Sequence, residues 1–253
     1  MNYIRQRVLN GEFMAGAWLN LGSSLTVEIA AQAGYDWLLL DQEHGPGDSM
    51  TLLHQLQAAQ AGPGAPIVRI AWNEMPRFKR ALDLGAMGIM VPYVQNRQEA
   101  LYAVNAMRYS PGGTRGVASS PRAAGYGARF DDYHAEADDN LLTVTQIESG
   151  EALSNLEEIA AVDGVDVLFV GPLDLSTSLN MPRRFNDPEF RAILSKVAKT
   201  AKAHGKAAGI LIPGRAQLGM VRDLGFTFVA AGSDGGMVVE GMRATFEAMQ
   251  RIK

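Results

Sequence analysis

The feature that most constrains this chain is a rhythm: a short apolar run, then a longer stretch with helical periodicity, repeated eight times from one end to the other. Strands are expected near 15–20, 36–41, 67–71, 88–92, 142–148, 166–171, 207–212 and 227–231, each short and apolar enough to lie buried in a parallel sheet. Amphipathic helices are expected near 25–33, 50–61, 77–84, 97–108, 151–160, 188–204, 217–224 and 235–251. Eight βα units without a composition break, Pro-rich linker or low-complexity tract point to a single (β/α)8 TIM barrel over residues 1–253, with a doubly wound sheet as the alternative. Gly34, Gly85 and Gly225 each stand between a helical pattern and the next strand, where a glycine closes the helix in the left-handed conformation. One segment breaks the rhythm. Residues 109–139 are rich in Gly, Pro, Ser and Arg and read as a long functional loop.

Composition narrows the partners. With 47% hydrophobic and 20% charged residues the chain has material for a large core, and a formal net charge of −4 offers no footprint for nucleic acid or an anionic membrane. A small-molecule substrate is expected instead. The absence of cysteine removes disulfides, thiolate metal sites and thiol nucleophiles together, so any metal must be held by oxygen or histidine. No apolar stretch has the length of a signal peptide or a membrane span, which makes the cytoplasm the expected location.

In a barrel of this kind catalytic groups collect at the carboxyl ends of the strands, so those ends are read together. The second strand runs out into Asp41-Gln42-Glu43-His44-Gly45-Pro46-Gly47, which places His44 just past a strand's mouth. Arg69 lies among β-branched neighbours in the third strand, where an unpaired charge is costly; it faces an anion, or forms a structural pair with Glu74 or Asp83. Alternation in the fifth strand puts Gln146 and Glu148 on one face and Ile147 on the other. The sixth strand leads into Gly171-Pro172-Leu173-Asp174, bringing a second acid beside the first. Glu148 and Asp174 can hold a hard divalent cation while leaving positions open to water and substrate. Taken singly, each acid fits helix capping as well, and Trp18 fits core packing better than a substrate platform.

With these pieces in hand the chain resembles the HpcH/HpaI aldolase family of metal-dependent pyruvate aldolases. The resemblance rests on 41–46, Val68-Arg69, 82–86, Val91-Pro92, 108–116, 146–148 and 171–176, in order and over nearly the full length. It implies a homo-hexameric barrel whose last helix is exchanged between subunits. It implies reversible cleavage of a 4-hydroxy-2-oxoacid to pyruvate and an aldehyde through a metal-bound enolate, with Mg2+, Mn2+ or Co2+ as cofactor. It also implies roles: His44 the base, Arg69 the group stabilising the transition state, Glu148 and Asp174 the metal ligands, and Gln146 and the Leu173 backbone the substrate contacts. Asp83 would raise the basicity of the histidine, reaching it from a neighbouring subunit. Leu173 replaces the family's usual alanine and leaves the acceptor pocket open to change. Arg115, Arg122 and Arg129 in the long loop suggest an acidic acceptor.

Three rival readings remain. A Schiff-base aldolase needs a lysine at a strand end, whereas all six lysines fall on helices, at the amino end of the seventh strand or at the C-terminus. A CoA-thioester lyase of the malyl or citramalyl type needs a nucleotide pocket, for which no basic cluster is evident. A catalytically silent barrel acting as a binding module has no need for acid, base and arginine at four strand ends.

Overall fold

In the computed structural model, which describes residues 2–252, the eight expected strands form one closed parallel barrel in sequence order, β8 pairing back onto β1. They are β1 (Met14–Leu19), β2 (Trp37–Asp41), β3 (Ala65–Arg69), β4 (Gly88–Val91), β5 (Leu142–Ile147), β6 (Val167–Val170), β7 (Ala207–Ile212) and β8 (Phe228–Ser233). Each is followed by helix. The doubly wound alternative is thereby excluded.

Strand alternation divides the core in two. Trp37, Leu39, Ile67, Val144, Phe169 and Phe228 point into the barrel, with Trp37 stacked on Phe228 at 4.0 Å and meeting Phe169 edge-on. Leu38, Leu40, Val68, Ile89 and Ile147 point outward and bury the inner stripes of the surrounding helices. Period-two packing of this kind fixes each strand's register, because a slip of one residue would exchange the two sets. At the amino end a short helix, Arg5–Leu9, plugs the barrel with Ile4 and Val8, and Arg5 Nε meets Asp166 Oδ1 at 2.9 Å. Helix Ser24–Ala33 closes on Gly34 at φ 88° and Met75–Leu84 on Gly85 at φ 107°, the left-handed caps expected there.

Three elements differ from expectation. Residues 109–139 are not loop throughout: a 3-10 segment, Arg122–Gly127, leads to an α-helix, Phe130–Asn140. Only Tyr133 and Ala137 of that helix are buried, a stripe too narrow to stand out among its acids. The helix expected at 151–160 is broken into Gly150–Ser154 and Leu156–Ala160. An additional short helix, Pro172–Ser178, follows β6 before the long Pro188–Ala203.

Candidate active site

The carboxyl ends of the strands open into a cavity of about 530 Å3 lined by Trp18, Asn20, Asp41, His44, Arg69, Gln146, Phe169, Leu173, Asp174 and Arg183, among others. Most of the expected site residues are therefore brought together. Its centre is an ion-pair system that sequence alone did not reveal. The β2–β3 register sets Asp41 directly beside Arg69. Arg69 Nε donates to Asp41 Oδ1 at 3.0 Å and Nη2 to Oδ2 at 2.6 Å, while Nη1 lies 2.9 Å from Glu43 Oε2. The partners of Arg69 are thus Asp41 and Glu43, not Glu74 or Asp83. Burial alone would raise the Asp41 carboxyl, but the hydrogen bonds and charge of Arg69 outweigh it and hold the group below its ordinary range. Glu43 is pushed up by burial, against the opposing charges of Arg69 and His44.

Asp41 also builds the turn that carries His44. Its Oδ1 accepts the backbone N–H of Glu43 at 3.0 Å and of His44 at 3.2 Å, in the manner of an Asx-turn. The His44 side chain is 68% exposed, and its Nε2 stands 3.8 Å from Glu43 Oε1. It is free to meet a ligand in the cavity. Trp18 packs in the barrel interior as expected, yet its ring also lies 4.7 Å beneath the Arg69 guanidinium, so it forms the floor of the site.

Glu148 follows β5, and neither it nor Asp174 acts as a helix cap. Ser149 caps Gly150–Ser154, and Gly171 occupies the N-cap of Pro172–Ser178, with Asp174 in its first turn. Glu148 Oε1 accepts the backbone N–H of Tyr93 at 2.7 Å, and Oε2 accepts from Gln146 Nε2 at 2.8 Å. Burial pushes the Glu148 carboxyl up to about 7; the Tyr93 hydrogen bond opposes this, and the charges of Glu43 and Asp174 reinforce it. Gly171 lets the chain pass this carboxylate, since a Cβ there would sit 2.7 Å from Glu148 Oε2. Tyr93 was not foreseen. It holds the left-handed conformation at φ 51°, unfavourable for an aromatic residue, and so aims its N–H at Glu148.

Asp83 stands apart. It lies in the last turn of Met75–Leu84, at the amino end of the barrel opposite His44, and its Oδ1 accepts from Arg115 Nη2 at 3.0 Å. Arg115 is buried over the Tyr109 ring at 4.4 Å and donates to Tyr133 Oη at 3.0 Å. Arg122 donates to the Leu84 carbonyl at 2.7 Å, and Arg129 lines a separate groove beside Gly85 and Met87. Within this chain none of the three loop arginines reaches the cavity.

A family model described as HpcH/HpaI aldolase/citrate lyase matches residues 14–241. The chain belongs to the HpcH/HpaI aldolase/citrate lyase family. It is 40% identical to the 4-hydroxy-2-oxo-heptane-1,7-dioate aldolase of Salmonella dublin over 243 residues, 96% of this chain and 92% of that protein. A family protein of known structure from Burkholderia cenocepacia J2315 aligns with a TM-score of 0.92 and 37% identity, covering 100% of this chain and 99% of that one. The citrate synthase SbnG aligns with a TM-score of 0.88 and 27% identity, covering 99% and 98% of the two chains.

Members of this family are in general dependent on a divalent metal, and the donors of this chain suit one. Glu148 and Asp174 are hard oxygen donors, and the raised Glu148 carboxyl marks a place where negative charge is short of a cation. Arg69 does not fill that need, being engaged by Asp41 and Glu43. Among the described residues no group of three or more His, Cys, Asp or Glu converges as a closed metal cage. Two carboxylates make an open site, the kind that keeps positions for substrate. None of the described lysines lines the cavity; Lys206, nearest a strand, donates to the Val162 carbonyl at the amino end of β7. No described helix is long and apolar enough to cross a membrane.

Proposed function

We propose that this chain is a divalent-metal-dependent pyruvate aldolase, a carbon–carbon lyase that cleaves a 4-hydroxy-2-oxoacid reversibly to pyruvate and an aldehyde. The observation that carries this is the gathering of four strand ends at one cavity: His44, Arg69 and Asp174 line it, and Glu148 adjoins it through its hydrogen bond with Gln146 of the lining. The 40% identical relative named for 4-hydroxy-2-oxo-heptane-1,7-dioate makes such a dioate, or a sugar-derived acid such as 2-dehydro-3-deoxyglucarate, a natural substrate class to test.

Glu148 and Asp174 would hold the cation, with Mg2+, Mn2+ or Co2+ the candidates suited to oxygen ligands. Bound there, it supplies Lewis-acid polarisation of the substrate's 2-oxo group. In cleavage His44 takes the proton of the C4 hydroxyl, directly or through a water. The C3–C4 bond then breaks, its electron pair becomes the pyruvate enolate, the aldehyde leaves, and the proton held by His44 returns to C3 to give pyruvate. Arg69 stabilises the charge that grows on the C2 oxygen. Two of its five N–H groups are committed to Asp41 and Nη1 is ion-paired with Glu43, which fixes the guanidinium plane and leaves further N–H groups for the substrate. Gln146 orients the substrate with its amide, whose Oε1 is buried and has no partner within the chain. The Leu173 N–H, at the start of its helix and outside the intrahelical ladder, would donate to the pyruvate carboxylate.

Asp83 would act on a neighbour's His44 in a homo-hexamer with exchanged C-terminal helices, and the enzyme would work on small molecules in the cytoplasm. The deciding experiment is pyruvate release across a panel of 4-hydroxy-2-oxoacids, with chelator and metal add-back. Cleavage that is lost with chelator and restored by metal supports the proposal. Absence of pyruvate with every substrate, or cleavage indifferent to chelation, overturns it.

A further inference from the structure

Arg183 is a cation of the cavity that the chain leaves uncommitted. Among the described residues lining that cavity the other guanidinium is Arg69, which Asp41 and Glu43 already hold. The neighbouring Arg184 is paired with Asp187 through both Nε and Nη2. No described carboxylate stands at ion-pair distance from Arg183.

The backbone at Arg183 is held in place. It has the left-handed conformation, φ 62°, which arginine adopts rarely, and its N–H donates to Ser176 Oγ at 3.3 Å. The Met181 N–H donates to the Ser176 carbonyl at 2.7 Å. Ser176 is fully buried on the helix that presents Leu173 and Asp174, so the turn bearing Arg183 is fastened to the element that carries the proposed metal ligand and the carboxylate contact. Beside Arg183 the wall is apolar, formed by Phe185, Leu211, Ile212 and Pro213. A single cation against an apolar wall suits a ligand with a short hydrocarbon tether ending in an anion.

We propose that Arg183 binds a carboxylate at the far end of the acceptor, so that this enzyme selects an aldehyde acid over an uncharged aldehyde of equal length. The inference rests on the aldolase reading above and assigns that charge recognition to Arg183, in place of the loop arginines Arg115, Arg122 and Arg129.

The test uses the whole, metal-loaded enzyme with pyruvate and two acceptors, butanal and the four-carbon aldehyde that ends in a carboxylate. Wild-type enzyme is first examined for exchange of pyruvate methyl protons with deuterium; no exchange refutes the aldolase reading and removes this proposal with it. Where exchange occurs, the readout is the ratio of kcat/KM for the charged acceptor to that for butanal. Arg183→Asn removes the charge with a residue that tolerates the left-handed backbone. The ratio is expected to fall on the order of ten- to a hundredfold, carried by KM. Arg183→Lys, which restores a point charge without the planar fork, should recover part of it. An unchanged ratio in Arg183→Asn overturns the proposal while leaving the aldolase reading intact. Should that variant fail to fold, salt titration of the wild type decides: KM for the charged acceptor should rise with ionic strength and KM for butanal should not. An equal response of the two overturns the proposal.

Discussion

Arg69 and Asp41 sit opposite one another in the β2–β3 register and share two hydrogen bonds, at 3.0 and 2.6 Å, below the rim of the cavity. The same Asp41 oxygen that accepts Arg69 Nε also accepts the N–H groups of Glu43 and His44. One carboxylate therefore positions both the guanidinium and the turn that carries the histidine. Asp41→Ala should strand a buried guanidinium and release that turn. A loss of roughly 3–5 kcal/mol is expected for breaking such a pair, together with a steep loss of turnover. Urea denaturation measures the first and pyruvate release the second; a stability change below about 1 kcal/mol would show that Asp41 does not anchor Arg69.

Arg69→Lys keeps the charge and loses the fork. Lysine cannot span both Asp41 oxygens and Glu43 while presenting further N–H groups to substrate. Turnover should fall by roughly ten- to a hundredfold or more, with KM for pyruvate changed less than kcat. Steady-state kinetics in the synthetic direction checks this, and wild-type kcat in the variant would remove Arg69 from the transition state.

His44 is a different case, because its side chain is largely exposed and makes no strong contact within the chain. His44→Ala should leave folding and metal affinity nearly unchanged while lowering kcat on the order of 10²–10⁴-fold, the range of a lost general base. Turnover and calorimetric metal titration are read on the same preparation. Full turnover in the variant would assign the base to another group.

The barrel and the carboxylate face were legible because both follow from short-range periodicity. Alternation gives Gln146 and Glu148 one face, and the burst of turn residues after Leu40 marks a strand's mouth. Register is a different kind of information. Nothing local says that Asp41 stands beside Arg69 and not beside a residue two positions away, and sequence alone leaves Glu74 and Asp83 open as partners of Arg69. Tyr93 and Arg183 escaped for a related reason: both owe their positions to left-handed backbone, which residue type does not signal outside glycine and asparagine. The arginines of 109–139 misled in the opposite direction. In sequence Arg115 suggests an acidic acceptor, but Tyr109, Tyr133 and Asp83 close over it.

Glu148 makes metal binding depend on pH with a definite sign. Its carboxyl is raised from the ordinary 4.5 to about 7 by burial, then by Glu43 and Asp174 against the Tyr93 hydrogen bond. In metal-free protein the folded state keeps a proton that the unfolded chain has already released. The resulting stability is fully present below the ordinary value and is lost as pH rises through about 7. A cation competes with that proton. Its affinity should therefore climb by up to about tenfold per pH unit toward neutrality and flatten above it. Thermal shifts with Mn2+ at about pH 5.5 and about pH 8 should be small and large respectively, and Glu148→Gln should abolish the difference. A metal-induced shift independent of pH would disconnect Glu148 from the cation.

Helix Asp234–Gln250 is anchored at its start and unpartnered along its length. Asp234 Oδ1 accepts the Asn20 N–H at 2.8 Å and Oδ2 accepts from Thr26 Oγ1 at 2.7 Å, while Ser233 caps the first turn. Beyond that turn Met242, Phe246 and Met249 are 70%, 60% and 62% exposed and recur at helical spacing. Leu25 and Ile29, one turn apart on helix Ser24–Ala33, are 68% and 67% exposed and present a second apolar surface. Such stripes are seldom left to water in a monomer, and exchange of this helix between copies would cover both. Phe246→Glu sets a charge in the middle of the stripe. Sedimentation should show the wild type as an oligomer, six subunits being the expected number, and the variant as smaller species with the circular dichroism of the barrel retained. Because Asp83 reaches no histidine within its own chain, turnover should fall along with assembly. A variant that keeps the wild-type sedimentation coefficient would show that this face is not the interface.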